Sequence, residues 1–176
     1  MSQLASYEVE RRRIVLDKEI GRGEFGVVMK AMGLGLPGCD AAQMVAVKVL
    51  KSQSESDVNA FVREGVRLKE LSHENVIRLL GVCVASEPRY LVLEYMAYGD
   101  LKTLLRQCQA KGISLFEEHL VSLGLDASRG FAYLQSQQFV HRDLAARNVL
   151  VGSSFVAKIS DFGEFELDDD CDVADC

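Results

Sequence analysis

The densest chemistry in this sequence is the string His141-Arg142-Asp143-Leu144-Ala145-Ala146-Arg147-Asn148, followed after two short apolar runs by Asp161-Phe162-Gly163. An isolated Asp-Phe-Gly is most simply a turn. Eight residues that gather a carboxylate, an amide, an imidazole and two guanidinium groups ahead of that turn are not accounted for by packing. Upstream, Gly21-Arg22-Gly23-Glu24-Phe25-Gly26 has the spacing G-x-G-x-x-G, which alone also fits an ordinary glycine-rich hairpin. A dinucleotide fingerprint needs a helix after the third glycine, and a P-loop needs Gly-Lys followed by Ser or Thr. Here a strand-like run starts at Val27. Glycines leading into a strand suit a hairpin that covers phosphates, because backbone amides can reach phosphate oxygens with no side chain between.

Lys48 lies in Val45-Ala46-Val47-Lys48-Val49. A lysine in a strand usually faces solvent, but its alternating neighbours Ala46 and Leu50 are apolar. A lysine turned inward needs an anion, since an unpaired buried ammonium is costly. Glu64, on the helix predicted next, could supply it. Most glutamates on such helices are solvated, so the pairing stands only with the rest of the constellation.

The elements that must position these residues can be read from periodicity. Strands are expected over 13–21, with Ile14, Leu16 and Ile20 on one face, and over 27–32, 44–50, 76–84 and 90–96. Ser54, Ser56 and Asp57 supply capping chemistry for a helix running to about Leu71. Gly65 directly follows Glu64 and is expected to weaken that helix by about 1 kcal/mol relative to alanine. From Gly99-Asp100 the register turns helical: Leu101, Leu104, Leu105 and Cys108 share a face. A second helix is expected over 116–137, apolar around most of its circumference, as in a helix buried within a lobe. Short strands at 148–151 and 157–159 follow. The expected boundary between a sheet part and a helical part lies near 96–99.

Composition narrows the function classes. The 176 residues are 48% apolar and 26% charged, an ordinary globular mix. The net charge of −6 is concentrated at 164–176, which carries seven acids and no base and leaves residues 1–163 at +1. A near-neutral body argues against a nucleic-acid footprint. The longest apolar run, 79–85, is too short for a membrane span, and no secretory pattern opens the chain. Five scattered cysteines without a C-x-x-C pair read as reduced thiols of a cytosolic setting.

Taken together, the glycine loop, the strand lysine, His141–Asn148 and Asp161–Gly163 resemble the catalytic domain of a protein kinase, specifically its tyrosine-specific branch. The resemblance implies an α+β, two-lobe fold. Residues 13–96 would form a complete N-lobe of antiparallel sheet plus one helix, 97–163 a partial helical C-lobe, and 164–176 an acidic, disordered tail. It implies ATP and Mg²⁺ as cofactors and protein tyrosine as substrate. Gly21, Gly23 and Gly26 would cover the phosphates, and Lys48, paired with Glu64, would contact them. Ile20, Val28, Ala46 and Leu150 would sandwich the adenine, with backbone at Glu94 and Met96 on its edge and Leu93 at the gatekeeper position. Asp143 would accept the substrate hydroxyl proton, while Asn148 and Asp161 would hold the magnesium, a hard cation suited to oxygen ligands. His141 is expected to orient the loop rather than act as base or ligand, because His73 and His119 are distant in sequence.

Ala145 and Arg147 carry the tyrosine assignment. Serine/threonine kinases usually place a lysine where Ala145 stands, whereas here the cation falls at Arg147, as in kinases that admit a longer phenolic nucleophile. The opening Tyr7-Glu-Val-Glu-Arg-Arg-Arg and the long loop before Met44 look receptor-like. The expected location is the cytoplasm, or the cytoplasmic face of the plasma membrane for a receptor. The resemblance covers roughly 13–163 and is expected to stop after Gly163, where Glu164-Phe165-Glu166 leads into the aspartates. The tail reads as a solvated end, and a frameshifted or cloning-derived sequence would look the same. A chain ending there is expected to leave the 116–137 helix partly exposed and to have negligible kinase activity alone. The alternative function is a nucleotide-binding regulatory or inert product.

Overall fold

The computed structural model describes residues 2–23, 26–141 and 143–161. Expectations for Glu24, Phe25, Arg142, Phe162, Gly163 and the acidic stretch 164–176 lie outside the described residues. The architecture is α+β. Five strands, β1 (Ile14–Gly23), β2 (Gly26–Gly33), β3 (Gln43–Leu50), β4 (Leu79–Cys83) and β5 (Tyr90–Glu94), form an antiparallel sheet in the order β1-β2-β3-β5-β4. Helix α1 (Glu55–Glu70) connects β3 to β4. A second, three-stranded sheet joins β6 (Gly99–Asp100), β7 (Val149–Val151) and β8 (Ala157–Ile159), with α2 (Leu101–Ala110) and α3 (Glu117–Ser136) beside it. Among the described residues no helix is long and apolar enough to cross a membrane.

Register explains why the large sheet has two unlike faces. Directly paired residues of antiparallel strands project to the same side. Val27, Val49 and Tyr90 form one row and Met29, Val47 and Val92 the next, and this side closes over a core that includes Ile14, Leu36 and Leu80. The opposite side carries the rows Val28–Lys48–Leu91 and Lys30–Ala46–Leu93. Leu91 joins Phe61 and Leu68 of α1 in a second core, which continues through Val76 and Ile77 to Leu123, Leu134, Val151 and Ile159. One apolar mass therefore ties α1 to the C-terminal sheet.

Local chemistry sets the helix ends. The Ser54 side chain accepts from the Asp57 amide at the start of α1, and Asp100 accepts from the Thr103 amide at 2.8 Å at the start of α2. The segment between α1 and β4 does not pair as a strand from residue 76, as its apolar run suggested. Instead Asn75 accepts the Ile159 amide at 2.8 Å, its Nδ2 donates to the Ala157 carbonyl at 3.0 Å, and Ile77 donates to Ile159 at 2.9 Å. This loop fastens β8, and with it the segment leading to Asp161. Replacing the fully buried Asn75 with alanine strands the Ala157 carbonyl and should destabilise the fold by about 1–3 kcal/mol in urea titrations.

Two expectations need correction. Ile14 and Leu16 share a face, but Ile20 does not continue it, because β1 slips register twice beyond Leu16, between Leu16 and Glu19 and between Glu19 and Gly21; Ile14 is buried, whereas Leu16 and Ile20 are exposed. Gly65 is not a weak point of α1. A Cβ there would lie 2.8 Å from Leu91 Cδ2 and 3.3 Å from Leu4 Cδ1, so glycine is what allows the helix to sit down on β5. Helix α3 is partly exposed, in line with the expectation for this chain: Leu123, Gly130 and Leu134 are buried, whereas Phe116 at its N-cap, Leu120, Val121 and Leu125 are exposed, Phe116 by 75%. Cys39, Cys83 and Cys108 are free thiols, and burial pushes the Cys83 pKa up to about 11.

Candidate active site

The β3–α1 unit fixes the first half of the site. Lys48 sits in the middle of β3 on the α1 side of the sheet, and Glu64 is one of the buried residues of the α1 face at Phe61, Glu64, Gly65 and Leu68. Their spacing of one strand end, one loop and two and a half helical turns brings the Lys48 Nζ to 2.8 and 2.9 Å from the two Glu64 carboxylate oxygens. Both side chains are about nine-tenths buried. Burial pushes the Glu64 pKa up, and the Lys48 ammonium only partly offsets it. The same Nζ lies 4.0 Å from Asp161 Oδ1, and that carboxylate is 64% exposed. Asp161 holds φ = +54°, a left-handed conformation that costs a non-glycine residue of order 1 kcal/mol or more and is characteristic of functional sites.

The second half is the turn before β7. Asn148, buried in the short 3₁₀ turn Ala146–Asn148, donates from Nδ2 to the Asp143 carboxylate (2.7 Å) and to its carbonyl (2.9 Å). Arg147 Nη2 donates to the other Asp143 oxygen at 2.5 Å. The hydrogen bond from Asn148, then the bond and charge of Arg147, hold the Asp143 carboxyl below the usual aspartate range. His141 is buried, with Nε2 3.0 Å from the Ser160 carbonyl and its ring edge-on to Phe131. Ser160 donates in turn to the Asn148 carbonyl through its amide at 2.8 Å. The residue before Asp161 is thus pinned to both His141 and Asn148, which joins the two carboxylates into one framework.

The glycine hairpin and the row of small apolar residues complete the arrangement. Gly23 pairs with Gly26 at the hairpin end, and Gly21 lies opposite Val28. A Cβ on Gly26 would stand 2.0 Å from the Val49 carbonyl oxygen, so no other residue fits against β3 there. Val28, Ala46, Lys48 and Leu93 share one face of the sheet. Ile20 is exposed near the end of β1, and Leu150 stands on β7 in the other sheet. The chain passes from one sheet to the other between Glu94 and Gly99, where Met96 accepts the Gly99 amide at 3.1 Å.

The Glu94 side chain is also engaged. Its carboxylate takes a bidentate bond from Lys158 Nζ (2.8 and 2.9 Å) and accepts the Arg78 amide at 2.8 Å. Together with His73, Glu74 and Val76 these residues line a cavity of about 460 Å³. Sequence reasoning missed this clasp. The only sign was a lone lysine in Ala157-Lys158-Ile159, which alternation alone would assign to solvent.

Comparison with known proteins agrees with this geometry. The family model described as protein tyrosine and serine/threonine kinase matches residues 14–172, beginning at β1 and continuing past Gly163, where the sequence resemblance was expected to stop. The chain is 40% identical to the BDNF/NT-3 growth factors receptor of Gallus gallus over 88% of its length, covering 20% of that receptor. It is 36% identical to tyrosine-protein kinase SRK3 of Spongilla lacustris over 93% of its length, covering 46% of that kinase. Against human tyrosine-protein kinase ABL2 the identity is 38% over 89% of the chain and 13% of the relative. The chain therefore spans less than half the length of these relatives. Its two-part architecture and its matched sequence lead to one conclusion: the chain belongs to the protein tyrosine and serine/threonine kinase family.

Proposed function

We propose that these residues form the phosphoryl-transfer site of a kinase that moves the γ-phosphoryl group of ATP to protein tyrosine, in the cytoplasm or at the cytoplasmic face of a membrane. The observation that carries the reading is the Lys48 ammonium fixed by Glu64 within 4.0 Å of Asp161. A loose, anionic phosphoryl transition state needs fixed positive charge and positioning more than covalent help. Lys48, held on a strand and clamped by Glu64, offers that charge with little reorganisation. The hairpin of Gly21, Gly23 and Gly26 keeps side chains away from the phosphates, and Val28, Ala46, Leu150 and Ile20 offer apolar surface to the base. Glu94 and Met96 would present backbone to its edge.

Asp161 and Asn148 fit Mg²⁺. The Asp161 carboxylate is open to solvent, and Asn148 spends its Nδ2 on Asp143, which leaves Oδ1, a hard oxygen, for a cation. When bound, the magnesium supplies charge neutralisation for the phosphates. Asp143 keeps one lone pair on each oxygen after its bonds to Asn148 and Arg147. Its depressed pKa makes it a weak base that orients the phenolic hydroxyl, whose ordinary pKa is about 10. It accepts the proton as the new P–O bond acidifies that hydroxyl.

For the 176 residues alone we expect slow turnover, because the exposed face of α3 forfeits apolar burial worth several kcal/mol at about 25 cal/mol per Å². The test is incubation of the protein with Mg·ATP and a tyrosine peptide beside its serine counterpart, with thermal shift read in parallel. Phosphotyrosine formation, however slow, and an Mg·ATP shift lost in Asp161→Asn are expected. A shift that is unchanged in that variant, or serine labelling equal to tyrosine labelling, would remove the reading.

A further inference from the structure

The cavity of about 460 Å³ beside Glu94 and Lys158 is walled by more hydrogen-bond donors than the fold uses. Its lining comes from the loop after α1, the end of β5 and β8. Lys158 Nζ gives the Glu94 carboxylate two bonds and keeps a third hydrogen. The Asn75 amide donates to His73 Nδ1 at 3.0 Å, so the neutral imidazole carries its hydrogen on Nε2. Stacking on Tyr133, with ring centroids 4.7 Å apart, holds that imidazole in place. The Ser72 amide donates to the Tyr133 hydroxyl at 2.9 Å, while the Ser72 hydroxyl stays uncommitted. Among the described residues the exposed Arg78 guanidinium has no acceptor, and only its backbone amide is engaged, by Glu94.

The carboxylates of the lining do not cancel these donors. Glu94 is neutralised by Lys158 and accepts the Arg78 amide as well. Glu74 has no partner, but it is exposed, and water screens its charge. Register also sets the cavity apart from the nucleotide row. Leu93 pairs with Ala46 and Glu94 with Val45, and successive strand residues project to opposite faces. Leu93 therefore lies on the side of Ala46 and Lys48, and Glu94 points away from it. What remains at the cavity is a guanidinium, an ammonium hydrogen, an imidazole N–H and a hydroxyl. A phosphate group suits such a set, because it presents three strong acceptor oxygens and close to two charges, and because guanidinium pairs with it through two parallel bonds.

We propose that this cavity is a second anion site, which binds a phosphate group with Arg78 as its main charge partner and His73, Ser72 and Lys158 as further donors. The ligand meets Arg78 from solvent, and Lys158 contributes its third hydrogen without leaving Glu94. The volume is many times the share of one water molecule, about 30 Å³, and leaves room for the body of a small phosphorylated molecule as well as for the free ion. The site is independent of the function proposed above, since none of its donors belongs to the phosphoryl-transfer residues.

The experiment titrates the 176-residue protein with inorganic phosphate at fixed pH and ionic strength and follows the ring-proton NMR signals of His73 and of His119, which does not line the cavity. A saturating shift at His73 with none at His119 is expected. Arg78→Met should weaken the affinity about tenfold, the loss of one charged hydrogen-bonding partner, and should leave the fold intact because that side chain is exposed and holds nothing. Glu74→Gln should strengthen it about twofold, as removal of an exposed like charge does. Saturating Mg·ADP should change neither. Phenyl phosphate in place of phosphate separates the sources: tighter binding assigns the site to phosphorylated organic molecules, and equal or weaker binding to the free ion. A His73 shift that does not saturate, that His119 shares, or that Arg78→Met leaves unchanged would overturn the proposal. So would a shift abolished by Mg·ADP, which would move the anion to Lys48.

Discussion

Asparagine at Asp143 should reduce phosphotyrosine formation by about 10²–10⁴-fold, the usual range for loss of a general base, while nucleotide affinity changes by less than about threefold. The substitution keeps the size of the side chain, and Asp143 is half exposed, so the fold loses little. What changes is the proton acceptor. The carboxylate now receives Asn148 on one oxygen and Arg147 on the other, and both bonds aim a lone pair of each oxygen away from the loop. An amide in its place offers one acceptor instead of two, turns an N–H toward either Asn148 or Arg147, and cannot take the phenolic proton. Single-turnover assays with enzyme in excess would read even slow transfer, and titration with Mg·ADP would read the nucleotide site. Activity within tenfold of the parent protein would exclude Asp143 as the acceptor and leave positioning by Lys48 as the main source of catalysis.

The parts of this site that were legible in the sequence are those set by short-range rules. The alternation of β3 placed Ala46 and Lys48 on one face, and the capping serine at 54 set the phase of α1 that points Glu64 inward. Two local patterns thus put both residues where they could meet, while the pairing itself, sixteen residues apart, rested on the rest of the constellation. The stretch Asp143–Asn148 was legible because the side-chain bonds of Arg147 and Asn148 to Asp143 stay within five residues. What could not be read depends on distant partners. The two register slips in β1 that separate Ile20 from Ile14 and Leu16 leave no mark in the hydrophobic pattern. The fit of Leu4 over Gly65 spans sixty residues and made a required glycine look like a helix defect. The Glu94–Lys158 clasp joins residues whose own neighbours predict nothing but a strand edge.

Mild acid should weaken nucleotide binding before it unfolds the protein, and Glu64 is the reason. Burial raises its pKa above the ordinary glutamate value of about 4.3 despite the Lys48 ammonium. A carboxyl whose folded-state pKa is raised binds its proton more readily in the native state than in the unfolded chain. Its contribution to stability is therefore fully present below the unfolded value and is lost as pH rises through the folded value. Acidification through that window favours the fold at this position while it removes the counterion that fixes Lys48. Asp143 moves the other way: its pKa is depressed, so it remains a carboxylate throughout. The acid limb of nucleotide affinity should accordingly belong to Glu64. Lys48→Met tests this. It removes the cation that affinity depends on, and loss of one such fixed charge should cost about 10²–10³-fold in transfer rate. It should also flatten the acid limb, because no ammonium remains for Glu64 to hold. Mg·ADP titrations from neutral pH downward, with melting temperature followed at each point, compare the two proteins. An acid limb of equal size in Lys48→Met would assign the titration to another group, whereas its disappearance at constant fold stability would tie nucleotide affinity to one buried ion pair.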